Sequence, residues 1–95
     1  NAEEAIGMII SPNPTSDHMQ VQTQWPIDEI IDLEMIEASS GKIWSMGQTS
    51  IKNTDSQIDI RIHGELKSQL SSGLYFLKMR GAQEVKTAKF IYLKK

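Results

Sequence analysis

The chain has 95 residues, the size of one domain, and its 39% apolar and 23% charged residues set aside a disordered polymer. No apolar run approaches the roughly 20 residues of a membrane-spanning helix, and the lack of cysteine excludes disulfides, thiolate metal sites and a cysteine nucleophile. The net charge of -2 conceals an asymmetry: residues 1–41 carry eight acids and no lysine or arginine, whereas residues 42–95 carry ten bases against four acids.

Taken in chain order, Asn1 to Ala5 is small and acidic and reads as a linker, with the domain proper over residues 6–95. Ile6 to Ile10 is a first strand. Pro12-Asn13-Pro14-Thr15-Ser16-Asp17 is a stiff corner, because each proline fixes φ and removes a donor while Asn13 and Asp17 can bond local amides. His18 to Thr23 is a second strand and Ile27 to Ala38 a third, which turns back through Ser39-Ser40-Gly41 into a fourth over Lys42 to Met46. Residues 47–56 are polar and read as a loop or a short strand around Ile51. Ile58, Ile60 and Ile62 alternate with Asp59, Arg61 and His63, the period of a half-buried strand over Ser56 to His63. Gly64 to Leu70 allows a single helical turn. Leu74 to Met79 and Val85 to Leu93, joined by a tight turn at Arg80 to Gln83, form a last hairpin that is apolar on both sides of each strand. Thirteen isoleucines and five threonines favour this β reading, and about seven antiparallel strands point to an all-β, immunoglobulin-like β-sandwich. Its acidic and basic strands are expected side by side, with a basic edge at Lys86, Lys89, Lys94 and Lys95.

Chemistry is sparse. His18 and His63 fall on the polar side of strands and form no ligand pair, and ten serines include no Gly-x-Ser-x-Gly elbow. Asp28, Glu29, Asp32 and Glu34 lack calcium-loop spacing and alternate between two faces. These patterns give no catalytic residue, no metal and no cofactor, and an acidic chain without stacking aromatics among its bases is not read as a nucleic-acid binder. The tryptophans raise a rival reading, a binding or adhesion module. Trp25 before Pro26 is expected exposed and Trp44 partly in the core, and a shared aromatic face would suit a sugar.

The Pro-Asn-Pro-x-x-Asp corner, the Gly41-Lys42-Ile43 turn and the Ser72-Gly73-Leu74-Tyr75 hairpin ending in lysines resemble, in this order and spacing, the C-terminal sorting domain of type IX secretion cargo proteins from Bacteroidota. The resemblance runs from about Ile9 to Lys95. It carries over Pro12, Asn13, Pro14 and Asp17 as the corner, Gly41 as the central turn, Gly73, Leu74, Tyr75 and Lys78 as the penultimate strand, and Lys89, Lys94 and Lys95 as basic positions of the last. Gly41, Gly73 and Tyr75 are expected to be structural and the terminal strand receptor-facing, since an edge strand offers unpaired backbone groups. The resemblance implies a domain attached to upstream cargo and read in the periplasm by the type IX translocon. A sortase-like protease then cleaves it at the cell surface, or it is retained in a translocon-associated or signalling role. An uncovered terminal strand would also support a homodimer.

Overall fold

A computed structural model describes residues 8–11, 14, 16–52, 57–62 and 64–94. Its elements are β1 (Met8–Ser11), β2 (His18–Thr23), β3 (Ile31–Glu37), β4 (Ile43–Thr49), β5 (Gln57–Arg61), α1 (Gly64–Gln69), β6 (Gly73–Arg80) and β7 (Val85–Tyr92). The strands make two antiparallel sheets, a three-stranded one in the order β1-β2-β5 and a four-stranded one in the order β4-β3-β6-β7. This is the immunoglobulin-like sandwich, with the fourth strand kept beside the third by its short hairpin rather than placed in the opposite sheet.

Alternation builds the core. Met19 and Val21 of β2, Ile58 and Ile60 of β5, Ile31, Leu33 and Met35 of β3, and Tyr75, Leu77 and Met79 of β6 point between the sheets and are buried. Leu66 and Leu70 attach the short α1 segment to that core, which is how six residues remain helical. No helix among the described residues is long and apolar enough to cross a membrane.

The charge asymmetry has a structural counterpart, because β3 lies against β6 with Asp32 opposite Arg80 and Glu34 opposite Lys78. Several boundaries differ from the sequence reading. The third strand begins at Ile31, since Ile27 and Asp28 form a turn in which Asp28 takes φ 68° and donates its N–H to the Ile51 carbonyl at 2.9 Å. That bond holds Ile51 as a buried loop residue rather than a strand. The fourth strand continues to Thr49 through a bulge that leaves Met46 extra between the pairs Glu34–Ser45 and Leu33–Gly47. β6 and β7 bury only one face, because no described element covers the outside of their sheet: Leu74, Val85 and Ile91 remain exposed. The expected linker at residues 1–5, residues 53–56 of the polar stretch and His63 lie outside the described residues.

Trp25 also departs from expectation: it is 6% exposed. The chain leaves β2 and folds the indole onto the β6–β7 turn. There Gly81 lacks the Cβ that would lie 2.2 Å from Glu29 Oε2 and 2.6 Å from Trp25 Cζ2. Glu29 in turn accepts the Ala82 N–H at 2.7 Å, and the Gly81 N–H reaches the Glu84 carbonyl at 2.9 Å. From β7, Lys86 lies 5.2 Å from the Trp25 ring centroid and donates to the Gln24 carbonyl at 2.5 Å and to Thr23 Oγ1 at 3.2 Å. A lysine thus joins the two sheets at this end. Trp25 Nε1 is buried without a hydrogen-bond partner among the described residues.

Gly81→Ala is expected to lower stability by about 1–3 kcal/mol, because both the carboxylate and the indole must move to admit a methyl group. Urea denaturation measures it, and an unchanged midpoint would mean that the turn relaxes freely.

Candidate recognition surface

The residues singled out from the sequence are best followed along the strands. β2 and β6 begin, and β3 and β7 finish, at the end of the sandwich opposite the Trp25 cluster. The segment entering β2 places Asp17 there. Its carbonyl accepts the Ile62 N–H at 2.7 Å and its carboxylate pairs with Lys67 of α1, a hydrogen bond that holds the ammonium above its ordinary value of 10.5. Pro14 is an exposed bend nearby in sequence, whereas Pro12 and Asn13 lie outside the described residues.

Gly41 closes the β3–β4 hairpin. It takes φ +77°, a conformation costly for any residue with a Cβ, and donates to the Glu37 carbonyl at 2.8 Å while Glu37 N–H donates to the Lys42 carbonyl at 2.9 Å. The hairpin is tied to β6 by the Ala38 N–H, which reaches the Leu74 carbonyl at 3.0 Å.

Tyr75 occupies the centre of this end. Its ring is fully buried, with ring centroids 6.0 Å from Phe90, 6.0 Å from Tyr92 and 6.1 Å from Trp44. Its hydroxyl donates to the Ser71 carbonyl at 2.7 Å and accepts the Ser71 N–H at 3.2 Å. This return from the start of the sixth strand to the loop before it is the tyrosine corner of immunoglobulin-like folds. Burial foremost pushes the Tyr75 hydroxyl above its ordinary 10.0. Glu37 Oε2 lies 3.4 Å from that hydroxyl and 3.3 Å from Ser71 Oγ, while Oε1 accepts Ser40 Oγ at 2.5 Å. The Ser40 bond is the largest of the influences that hold the Glu37 carboxyl below its ordinary 4.5.

The last strand ends beside this cluster. Gly73 pairs with Tyr92, and Lys94 is drawn back onto the fold: its N–H donates to Ser72 Oγ at 2.8 Å and its ammonium to the Ser68 carbonyl of α1 at 3.3 Å. The Tyr92 hydroxyl is buried without a hydrogen-bond partner among the described residues. Lys78 is half-buried opposite Glu34, and Lys89 is exposed opposite Phe76. The expected basic edge is therefore uneven: Lys86 points inward to Trp25, Lys94 is bound to the α1 connection, and Lys95 lies outside the described residues.

Asp17, Gly41, Gly73, Leu74, Tyr75 and Lys94 thus share one end, while Lys78 and Lys89 stand on the outward face of the four-stranded sheet. Sequence reasoning missed the inward role of Lys86. Its parity with Ala88, Phe90 and Tyr92 marks the same face, but a lone lysine in alternation reads as solvent-facing. The tryptophans form no common platform, for Trp25 is buried at one end and Trp44 donates its Nε1 to Gln69 Oε1 at 2.9 Å at the other. Among the described residues no group of acids and histidines is placed to hold a metal ion.

Fold and site together define a small immunoglobulin-like sandwich with a tyrosine corner and its C-terminal strand at a sheet edge. The chain belongs to the family described as secretion system C-terminal sorting domain, which matches residues 10–93. Among solved structures it is similar to part of PorZ, described as an essential bacterial surface component of the type-IX secretion system of Porphyromonas gingivalis. That similarity has a TM-score of 0.62 and 17% identity over 97% of this chain and 12% of PorZ, and at such identity it shows the fold. A comparison with curated proteins finds no match.

Tyr75→Phe is expected to lose about 1 kcal/mol, the worth of a hydrogen bond whose carbonyl partner can be rehydrated, measured by chemical denaturation. A loss indistinguishable from zero would show that the corner bond is dispensable. Because the folded Glu37 carboxyl titrates below 4.5, its stabilising effect is present above that pH and disappears as pH falls through the depressed value. Denaturation midpoints of wild type and Glu37→Gln should converge in acid and separate above pH 4.5, in favour of wild type.

Proposed function

We propose that this chain is a C-terminal secretion signal that addresses an attached cargo protein, already in the periplasm, to the type IX translocon for passage across the outer membrane. The observation that carries this reading is the sorting-family match over residues 10–93. The fold supports it. Met8, where an upstream domain would join, pairs with Thr23 beside the Trp25 cluster, whereas Asp17, Gly41, Tyr75 and Lys94 lie at the other end of a body whose longest dimension is 33 Å. The first described strand thus starts at the end opposite these residues.

In this reading the domain is a substrate and an address, not an enzyme. Pro12, Asn13, Pro14 and Asp17 are the family's corner motif, and Gly41, Gly73 and Tyr75 hold the fold. Leu74, Lys78 and Lys89 belong to the strands that the translocon meets, with Lys94 and Lys95 following the last of them in sequence, and among the described residues β7 pairs with β6 alone. A sortase-like surface protease removes the domain at or upstream of the linker at residues 1–5, which leaves the cargo on the cell surface or in the medium. The fold likeness to a surface component favours a second reading, in which the domain is retained at the surface.

The test fuses this chain to the C-terminus of a periplasmic reporter in a type IX-competent bacterium, beside a truncation lacking Tyr92 to Lys95. Surface or medium delivery of the intact fusion, lost in the truncation, is the expected result. Mass spectrometry of the delivered reporter then separates removal from retention by the presence of Lys94 and Lys95. A folded intact fusion that stays in the periplasm would overturn the sorting role.

A further inference from the structure

The outward face of the four-stranded sheet divides into two halves. In one, cross-strand neighbours carry matched charges, Asp32 beside Arg80 and Glu34 beside Lys78. In the other, the register sets Ile43, Ile36, Phe76 and Lys89 in a single row across all four strands, and Leu74 stands beside Ile91 in the next. Ile43 is 56% exposed, Leu74 42% and Ile91 44%, while Ile36 and Phe76 are half-buried. Scattered apolar residues on a surface mean little, but a continuous patch bordered by charge marks a place where something docks.

Charge narrows the occupant. Each base that β6 presents on this face has an acid of β3 across from it, whereas Lys89 has Phe76 opposite and is exposed. The patch therefore holds one cation without an acid across from it in the sheet. We propose that this row is the docking surface for a protein partner that presents apolar side chains around a carboxylate, the receiving surface of the secretion machinery. The proposal rests on the sorting role above and locates recognition on the sheet face as well as the terminal strand. A second copy of this chain fits poorly, since a two-fold that packs the row on itself sets Lys89 against its own symmetry mate or against Ile43, and in neither case against a carboxylate. An anionic membrane fits poorly too, because such binding uses clusters of about 4–8 bases. The patch lies toward the Tyr75 end, away from Met8, where the first described strand begins.

The experiment delivers the same reporter fusion in the type IX-competent host, comparing wild type with Lys89→Glu, Lys89→Arg, the double change Ile43→Ser with Leu74→Ser, and Thr87→Glu in the charged half. Thermal unfolding of each purified fusion checks the fold. Wild type, Lys89→Arg and Thr87→Glu are expected at the surface. Lys89→Glu and the double-serine variant, with melting unchanged, should fall by about tenfold or more, as loss of a charged contact in an interface predicts. Folded Lys89→Glu and double-serine variants delivered as well as wild type would overturn the proposal. So would an equal loss with Thr87→Glu, or a dimer in sedimentation that Lys89→Glu abolishes, since the second copy would then be the occupant. Periplasmic retention of wild type itself would remove the sorting role and this surface with it, an outcome distinct from delivery that ignores Lys89.

Discussion

The arrangement depends most on Tyr75, whose ring and hydroxyl serve two separate constraints. The ring is enclosed by Trp44 of β4 and by Phe90 and Tyr92 of β7, so strands on either side of the β3–β6 pair meet through it. The hydroxyl fastens the connection before β6 through both polar groups of the Ser71 backbone. A buried tyrosine needs a partner for its polar tip, and here the partner is the loop that α1 and β6 would otherwise leave loose. Through Ser71 and Glu37 the same point reaches the β3–β4 hairpin. Order at this end is thus a consequence of one side chain satisfying its own burial.

The opposite end uses different physics. Trp25 and Lys86 join the sheets by a cation facing an indole and by two hydrogen bonds from one ammonium, and Gly81 permits the approach by having no side chain. Between the two ends, the acidic β3 and basic β6 lie together at the middle of the four-stranded sheet. Exposed charge pairs of this kind contribute little stability each, but opposite signs across a strand pair oppose a slip in register that would set like charges together. A single register fixes which side chains share a face and so the shape the domain presents. The cysteine-free core also holds that shape whatever the redox state around it.

The resemblance to a sorting family was legible because its motif residues are local: a proline corner, a glycine turn and a Gly-Leu-Tyr strand entry each constrain backbone at one place in the chain. Their convergence was not legible. Asp17 and Lys67 are fifty positions apart, and the Lys94–Ser72 and Lys94–Ser68 bonds exist only because β7 returns beside β6. The reading of Trp25 as exposed failed for the same reason. Nothing near Trp25-Pro26 announces that Gly81, far along the chain, will provide a surface for the indole.

By itself the sequence determined the β class, the alternation that selects Ile58 and Ile60 for the core, and the turns at Ser40-Gly41 and Arg80-Gly81. These follow from steric preferences and from a period of two, which act over a few residues. Tertiary structure alone decided which strands share a sheet, which side of the apolar β6 and β7 is covered, and which lysines remain for a partner. Lys86 and Lys89 are three residues apart on one strand, yet one is consumed inside the sandwich and the other stands outside it. Strand alternation puts the two on opposite faces, but which face is covered is set by pairing with elements distant in sequence, and no local pattern encodes the identity of a distant neighbour.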